Sequence, residues 1–470
     1  MKSSIFREYD IRGIIGKELD INETYDLAKA IVTYYKRQKP ELKDITIARD
    51  GRPHSEPIRD NIVKAITDLG INVTDIGICP TPVLYFSLFN TDITTGFIIT
   101  ASHNPKEYNG IKICLDKKSV WGKQIQEIRR IYEEKDFYKN SSEKKGQVVS
   151  HNIIPEYIEY LANHFEHLKN LDIPTVIDCG NGAGGTVIPD LIKKMNWKNI
   201  KLLFEEVDGN FPNHEADPTT YKNMQDVTDT LKSDKNLQLG IGLDGDCDRM
   251  SPMTKSGYLV PGDQLLALYA QKVLKDFPDA AIVFDIKASS SLIELLKKWG
   301  AKDCICPSGH SLVKEAMLQN NAKLAGELSC HFFFNDRYFG YDDGIYAILR
   351  LFEILKETGK DLDELVKVFP YKYRSPEIRI ECEESDKIKI VDHVKSVFAT
   401  KDDSDLITID GIRAQMKYGW GLVRASNTQA VICFRFESDT ADGLQHIKND
   451  FISALKPFFN KKTLDKQFVI

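Results

Sequence analysis

"DITIARDGRPHSEPIRDNIVKAI" (44–66) opens with a short apolar strand, reaches an aspartate, turns through glycine and proline, and continues with apolar residues at helical spacing. The plan recurs in "IPTVIDCGNGAGGTVIPDLIKKM" (173–195) and "AAIVFDIKASSSLIELLKKWG" (280–300). Strand-then-helix units require crossovers, and crossovers predict parallel sheets with helices on their faces. The copies lie roughly 110 to 130 residues apart, as if one domain plan were used three times.

After residue 376 the texture changes. "PEIRIEC", "DLITIDGIRAQM", "GWGLVRAS" and "QAVICFRFES" alternate apolar and polar residues, and helical patterns cover 386–399 and 440–456. This predicts a fourth, α+β domain with an antiparallel sheet. The polar strip "YKNSSEKKGQ" (138–147) and "KVFPYKYRSPEIRIEC" (367–382), where the helical pattern stops, read as linkers. Domains are therefore expected at 1–148, 149–252, 253–367 and 368–470.

A chain of 470 residues with 42% hydrophobic and 28% charged residues, and no low-complexity tract, is an ordinary folded protein with several cores. Its net charge of −6, without Lys/Arg blocks, argues against nucleic acid or a membrane surface as the main partner. "MKSSIFREYDIRG" has no apolar signal segment and no stretch approaches a membrane span, so a cytoplasmic protein is expected. Nine cysteines stand singly except for Cys304-x-Cys306, without C-x-x-C pairs, and read as small reduced core residues.

Several stretches carry chemistry. "TASHNP" (100–105) follows the apolar run Gly96-Phe97-Ile98-Ile99 and sets Ser102 at the mouth of a strand, in a turn held by Asn104-Pro105. Such a place presents a hydroxyl. "GIGLDGDCDRM" (240–250) alternates Asp244, Asp246 and Asp248 along a turn, so three carboxylates converge. Their repulsion suits a hard divalent cation such as Mg²⁺ beside a phosphate. A solvated acidic loop is the plain alternative; a calcium hand is excluded by Arg249 at the turn-glycine position and Lys255 at the bidentate-glutamate position.

"DCGNGAGG" (178–185) departs from the dinucleotide fingerprint, and a glycine turn for tight strand-to-helix packing is preferred. "GELSCHFFF" (326–334) places Glu327, Ser329 and His331 at alternate positions, which on an extended loop point to one side and suit a polyhydroxyl ligand; the alternative is a solvent-facing strand edge. "RASNTQAVICFRFE" (424–437) groups Arg424, Ser426, Asn427 and Thr428 before a strand, either a phosphate nest or an ordinary turn. "FREYDIRG" (6–13) adds Arg7 and Arg12.

Together, and in this order along the whole chain, these stretches resemble the α-D-phosphohexomutase superfamily, most closely its bacterial phosphomannomutase/phosphoglucomutase members. The resemblance implies three similar α/β domains with mixed sheets and a C-terminal α+β domain around a central cleft. It implies that Ser102 carries the transferable phosphoryl group and that Asp244, Asp246 and Asp248 bind Mg²⁺, the phosphate on Ser102 being the fourth ligand. It assigns Lys112 as a general acid/base, His103 and His331 as further proton-handling groups, and Arg249 as a neutraliser of charge beside the metal ligands. Lys287 and His310 would line the cleft, Arg7, Tyr9 and Arg12 would touch the reacting region, Glu327 and Ser329 the sugar, and Arg424, Ser426, Asn427 and Thr428 the second phosphate. Hexose 1,6-bisphosphate would be intermediate and activator, hexose phosphates the partners, and the assembly a monomer or weak homo-oligomer.

The expected reaction interconverts mannose 1-phosphate and mannose 6-phosphate, and the glucose phosphates. The alternatives are a phosphoglucosamine mutase, whose sugar loop carries glutamine where Leu328 stands, and a sugar-phosphate-binding protein without catalysis. The sequence departs from the family where cysteine replaces glycine at Cys330 and Cys247, and where Gln429-Ala430 replace Glu-Pro. Cys247 is thereby expected to be open to oxidation, and Cys330 to alter the sugar loop.

Overall fold

The computed structural model describes residues 1–140, 144–401, 404–426 and 430–468. The chain gathers into two compact units, Met1–Tyr269 with Ser329–Val366, and Ala270–Leu328 with Lys367–Ile470.

The first unit contains two sheets. In one, the strands Gly96–Ile99, Asp44–Arg49, Asn72–Ile78 and Val148–Ser150 run parallel in that spatial order. Asp44–Arg49 lies inside, buried on both faces as a crossover strand must be. Two further strands, Tyr108–Leu115 and Ile11–Ile14, extend the sheet antiparallel beyond Gly96–Ile99. Ile45, Ile47, Phe97 and Ile99 meet Ile31, Tyr35, Ile62 and Ile128 of the covering helices Thr24–Gln38, Ser55–Asp68 and Lys123–Glu134. The pairing opposes Lys112 to Ile98, which brings a lysine to the end of the strand that leads to Ser102.

The second sheet has the order Met250–Thr254, Leu239–Leu243, Thr175–Asp178, Ile200–Leu203, with the first strand antiparallel to an otherwise parallel set. Both sheets are therefore mixed: the strand–helix units form the parallel part, and hairpin strands add antiparallel neighbours that the parallel-sheet reading left out. One hairpin turn, residues 244–249, is the aspartate loop, at the carboxyl end of a buried parallel strand. The glycine stretch packs against it. A Cβ on Gly182 would lie 2.8 Å from the Gly245 carbonyl oxygen, and one on Gly184 2.8 Å from Cys247 Sγ. These glycines let two loops touch, so the packing reading holds and the space that a dinucleotide needs is filled by protein.

The long helix Gly344–Thr358 is buried over nearly its whole length. Asp343 caps it by accepting the Tyr346 N–H at 2.9 Å, and Gly344 N–H donates to the Cys247 carbonyl at 3.0 Å, seating the helix on the aspartate loop.

In the second unit the strands Lys302–Cys306, Ala281–Asp285 and Leu324–Gly326 are parallel. An antiparallel sheet follows, in the order Tyr373–Arg374, Val431–Ser438, Gly419–Ala425, Ile412–Met416, Ser404–Ile407, with Ile378–Glu381 also on Val431–Ser438. The helices Lys387–Ala399 and Ala441–Leu455 bury Val394, Phe398, Ile447 and Phe451 against it, as the alternation after residue 376 predicts.

Among the described residues, no helix is long and apolar enough to cross a membrane. The nine cysteines, all among the described residues, form no disulfide, and seven are buried.

Inside the second unit the antiparallel sheet grips the turn after Ala281–Asp285. Trp420 is fully buried against Ile286 and Leu422 and donates from Nε1 to Glu437 Oε1 at 2.9 Å. The Arg413 guanidinium lies 3.7 Å from the Trp420 ring centroid and donates to the carbonyls of Ile286 (2.9 Å) and Ala288 (2.7 Å). Removing the indole leaves a cavity and exposes both charges to it. Trp420→Ala is expected to lower stability by about 3–5 kcal/mol, measured as the shift of the earliest transition in urea unfolding.

Candidate active site

Ser102 lies two residues past the buried Thr100 and adopts a left-handed backbone with φ of 51°. Its N–H donates to Thr100 Oγ1 at 2.9 Å, and the Asn104 N–H donates to the Ala101 carbonyl at 3.0 Å, closing the expected turn. The hydroxyl donates to Asp244 Oδ2 at 2.9 Å and lies 3.2 Å from His103 Nδ1. At 3% exposure, Ser102 is sheltered from bulk water.

Carboxylate oxygens of Asp244, Asp246 and Asp248 all fall within 4.8 Å of one another, and all three side chains are buried. The protein compensates with two cations. Arg249 donates from its backbone N–H to Asp244 Oδ1 (3.1 Å) and from Nε to Asp244 Oδ2 (3.0 Å). Lys112 Nζ donates to Asp246 Oδ2 at 2.6 Å and also to Asp248 Oδ2. Thr81 adds its hydroxyl to Asp246 Oδ2 at 2.6 Å and its N–H to the Asp246 carbonyl at 2.8 Å. Against this, Asp246 Oδ1 and Asp248 Oδ1 are buried without a hydrogen bond. Three carboxylates face two fixed cations, and two oxygens are left over. Such an all-oxygen set fits a hard cation.

The charges respond accordingly. Burial, together with Asp248, pushes the Asp244 carboxyl up to about 8. Burial depresses the Lys112 ammonium, but Asp246 and Asp248 outweigh it and hold the lysine above its ordinary range. Burial, reinforced by Arg249 and Arg12, holds His103 well below 6.5. At neutral pH the imidazole beside the Ser102 hydroxyl is therefore neutral, and Lys112 is charged.

Other expected residues gather here. Arg12 donates from Nη1 to Asn104 Oδ1 (2.9 Å) and from Nη2 to Asp10 Oδ2 (2.5 Å), and Arg7 Nε donates to the Arg12 carbonyl at 3.1 Å. Tyr9 is half-buried in the same segment. His331 pairs its backbone with Arg249, and its Nδ1 lies 3.6 Å from Asp248 Oδ1 and 3.1 Å from Asp342 Oδ2. Ser329 belongs to this unit as well. Glu327, Ser329 and His331 do not lie on an extended loop, contrary to expectation: residues 328–329 form a turn and Cys330 has φ of 67°.

The remaining expected residues that are described lie on the second unit, where Asp285, Glu327 and Asp410 bind the segments that carry several of them. Asp285 holds Lys287 (3.3 Å), the Ser308 hydroxyl (3.0 Å) and the Leu328 N–H (3.2 Å). Glu327 accepts the Gly309 N–H at 2.7 Å, next to buried His310 at the start of the helix His310–Asn320. Asp410 accepts the Ser308 N–H (3.1 Å) and Arg424 Nε (2.9 Å). The Ser426 carbonyl accepts from Lys387 Nζ at 2.7 Å. Asn427, Thr428 and Gln429 lie outside the described residues.

Both family glycines replaced by cysteine occupy the left-handed region, with φ of 57° at Cys247 and 67° at Cys330. Glycine adopts this region freely and cysteine pays for it, which accounts for the family preference. Cys247 is fully buried and burial pushes its thiol well above the ordinary range, so it is protected rather than open to oxidation.

Sequence reasoning passed over Thr81, Asp285, Asp342 and Asp410. The signal for Thr81 was a further strand–turn–helix junction, "ICPTPVLY", with a hydroxyl at the first residue of the helix Thr81–Asn90. Asp285 closes the apolar run of a recognised unit.

Family models for phosphoglucomutase/phosphomannomutase match in chain order: alpha/beta/alpha domain I over residues 3–139, domain II over 155–257, domain III over 261–373 and the C-terminal domain over 377–454. A phosphomannomutase/phosphoglucomutase of Pseudomonas aeruginosa is 37% identical over 457 residues, 97% of this chain and 96% of that protein. A phosphoglucomutase of Neisseria meningitidis is 37% identical over 453 residues, 96% of each. The crystal structure of a phosphoglucomutase/phosphomannomutase family protein from Burkholderia thailandensis superimposes with a TM-score of 0.88 at 34% identity, over 98% of this chain and 99% of that one.

Thr81 bonds one oxygen of Asp246, and the other oxygen has no hydrogen bond. Thr81→Val keeps the shape and removes the hydroxyl. Divalent-cation affinity is expected to fall about tenfold, as read by calorimetric titration of Mg²⁺.

Proposed function

This chain belongs to the phosphoglucomutase/phosphomannomutase family, and we propose that it interconverts mannose 1-phosphate and mannose 6-phosphate, and also the glucose phosphates, through a phosphoserine and a hexose 1,6-bisphosphate. The observation that carries this reading is the Ser102 hydroxyl on Asp244, in one buried cluster with Asp246, Asp248, Lys112 and Arg249. Asp244, Asp246, Asp248 and an oxygen of phosphorylated Ser102 would hold Mg²⁺, which when bound supplies charge neutralisation at the transferring phosphoryl group.

In the forward half-reaction the bond between phosphorus and Ser102 Oγ breaks as a substrate hydroxyl oxygen bonds to phosphorus. That hydroxyl releases its proton, which we assign to His331, and Ser102 Oγ gains one. In the second half the intermediate presents its other phosphate: Ser102 Oγ bonds to phosphorus, the sugar oxygen leaves and is protonated, and the serine proton passes to a base. Neutral His103, with Nδ1 at 3.2 Å from Oγ, suits that role. Lys112 stays protonated between two aspartates and serves as a charge and proton donor. Arg249 and Arg12 stabilise the phosphoryl oxygens, with Arg7 and Tyr9 beside them. Lys287, His310, Glu327 and Ser329 are assigned to the sugar, and Arg424, Ser426, Asn427 and Thr428 to the nonreacting phosphate. Every loss of the bisphosphate strands an unphosphorylated serine, so added hexose 1,6-bisphosphate should activate. We assign the enzyme to the cytoplasm, as a monomer or weak homo-oligomer.

Ser102→Ala is expected to lower kcat at least about a thousandfold with the fold intact, since the relay atom is gone. Mass spectrometry of the wild type should map one phosphate to Ser102; full activity in the variant would sink the assignment. Rates with mannose, glucose and glucosamine 1-phosphates decide the sugar: preference for glucosamine would favour the phosphoglucosamine reading, and inactivity on all three the binding-protein one.

Arg424→Ala is expected to raise KM about tenfold or more while kcat changes little, because a grip kept equally in ground and transition states affects binding alone. Dependence on added bisphosphate should also increase, as the intermediate escapes more often. Steady-state kinetics with and without the activator test both, and a normal KM would leave residues 424–428 as a turn.

A further inference from the structure

The backbone of the serine loop is built around one buried arginine that no motif singles out. Arg52 lies in the turn between the strand Asp44–Arg49 and the helix Ser55–Asp68, and its side chain is fully buried. A guanidinium has five N–H donors. Nε donates to Asp50 Oδ2 at 3.0 Å; Nη1 donates to the carbonyls of Pro105 (2.8 Å) and Tyr108 (3.1 Å); Nη2 donates to the carbonyls of Ser102 (2.8 Å) and Asn104 (2.6 Å). All five are used within the protein, so none is left for a substrate. Asp50 is itself anchored by the Ser55 hydroxyl at 2.7 Å, and the Phe211 ring lies 5.0 Å from the guanidinium.

Ser102 is held from the other side too. Its N–H is bound to Thr100, and a Cβ on Gly245 would lie 2.7 Å from its carbonyl oxygen, so the aspartate loop touches the carbonyl that Arg52 grips. The loop at residues 102–108 turns four carbonyls inward, and buried carbonyls demand donors. Lysine has three donors on a single atom and cannot span them. The left-handed φ at Ser102 is one an L-residue leaves when released.

We propose that Arg52 is a positioning residue for phosphoryl transfer, holding the Ser102 backbone so that Oγ faces the aspartate cluster; the inference rests on the mutase reading. Both half-reactions pass through Oγ, and displacement of a reacting atom by about 1 Å costs on the order of a hundredfold. Substrate affinity, set by phosphate and sugar contacts made elsewhere, is left alone.

The test uses Arg52→Lys in the full chain, with Asp50→Asn as a second variant that removes the charged partner of Nε and keeps the arginine should the first variant not fold. Each is measured for steady-state kinetics and for the single-turnover rate at which hexose 1,6-bisphosphate phosphorylates Ser102, with thermal melting as the check on folding. Arg52→Lys is expected to lower kcat and the phosphorylation rate together by about ten- to a hundredfold, with KM within about twofold of wild type; Asp50→Asn should show the same pattern, more weakly. Folded variants with wild-type kcat and phosphorylation rate overturn the inference, as does a raised KM with kcat preserved. A wild-type chain that takes no phosphate on Ser102 overturns the mutase reading itself, and that result is read before any variant is made.

Discussion

Three carboxylates buried within 4.8 Å of one another are costly unless positive charge and hydrogen-bond donors compensate them. Lys112 arrives from a strand of the first sheet, Arg249 from the loop's own end, and Thr81 from the start of the helix Thr81–Asn90. The first sheet and the aspartate hairpin are thus joined by charge as well as by packing, and the joint is where Ser102 ends its strand. The same compensation is deliberately incomplete: Asp246 and Asp248 each keep one buried oxygen without a hydrogen bond. A structural ion cluster would satisfy these atoms. A site that must take a cation leaves them open.

Three of the left-handed non-glycine residues lie at the same place. Ser102, Cys247 and Cys330 all have left-handed backbones, and each belongs to a loop of the cluster or leads into His331. Non-glycine residues persist in this region only where the surroundings over-determine it. Around Ser102 the surroundings are four bonds from Arg52 to the carbonyls of the loop and one from the serine N–H to Thr100. Around Cys247 they are Gly184, which makes room for the sulfur, and Gly344, whose N–H takes the cysteine carbonyl.

The legible residues were those whose chemistry is local in sequence. Asp244, Asp246 and Asp248 stand at alternate positions of one turn, and Ser102 stands at one strand end, so spacing alone announced them. Lys112 came through resemblance: a lysine inside an apolar strand has no local reason to be there until its partners, 134 and 136 residues away in sequence, are brought to it. Where a local argument assumed a conformation, it could fail. The alternation of Glu327, Ser329 and His331 presumes an extended chain, and a turn at 328–329 with a left-handed Cys330 removes that premise.

The sequence by itself determined the strand–helix units, the antiparallel C-terminal sheet and the acidic turn, because periodicity and turn chemistry act over a few neighbouring residues. It determined that a hydroxyl and three carboxylates would sit at strand ends. Only the tertiary structure decided which oxygen of each carboxylate is bonded and which is left, that His103 is neutral while Lys112 is charged, and that Arg52, Asp285 and Asp410 organise the loops around them. These are properties of burial and of charges brought together from distant segments, and neither burial nor the distance between two charges is a property of a residue's neighbours in the chain.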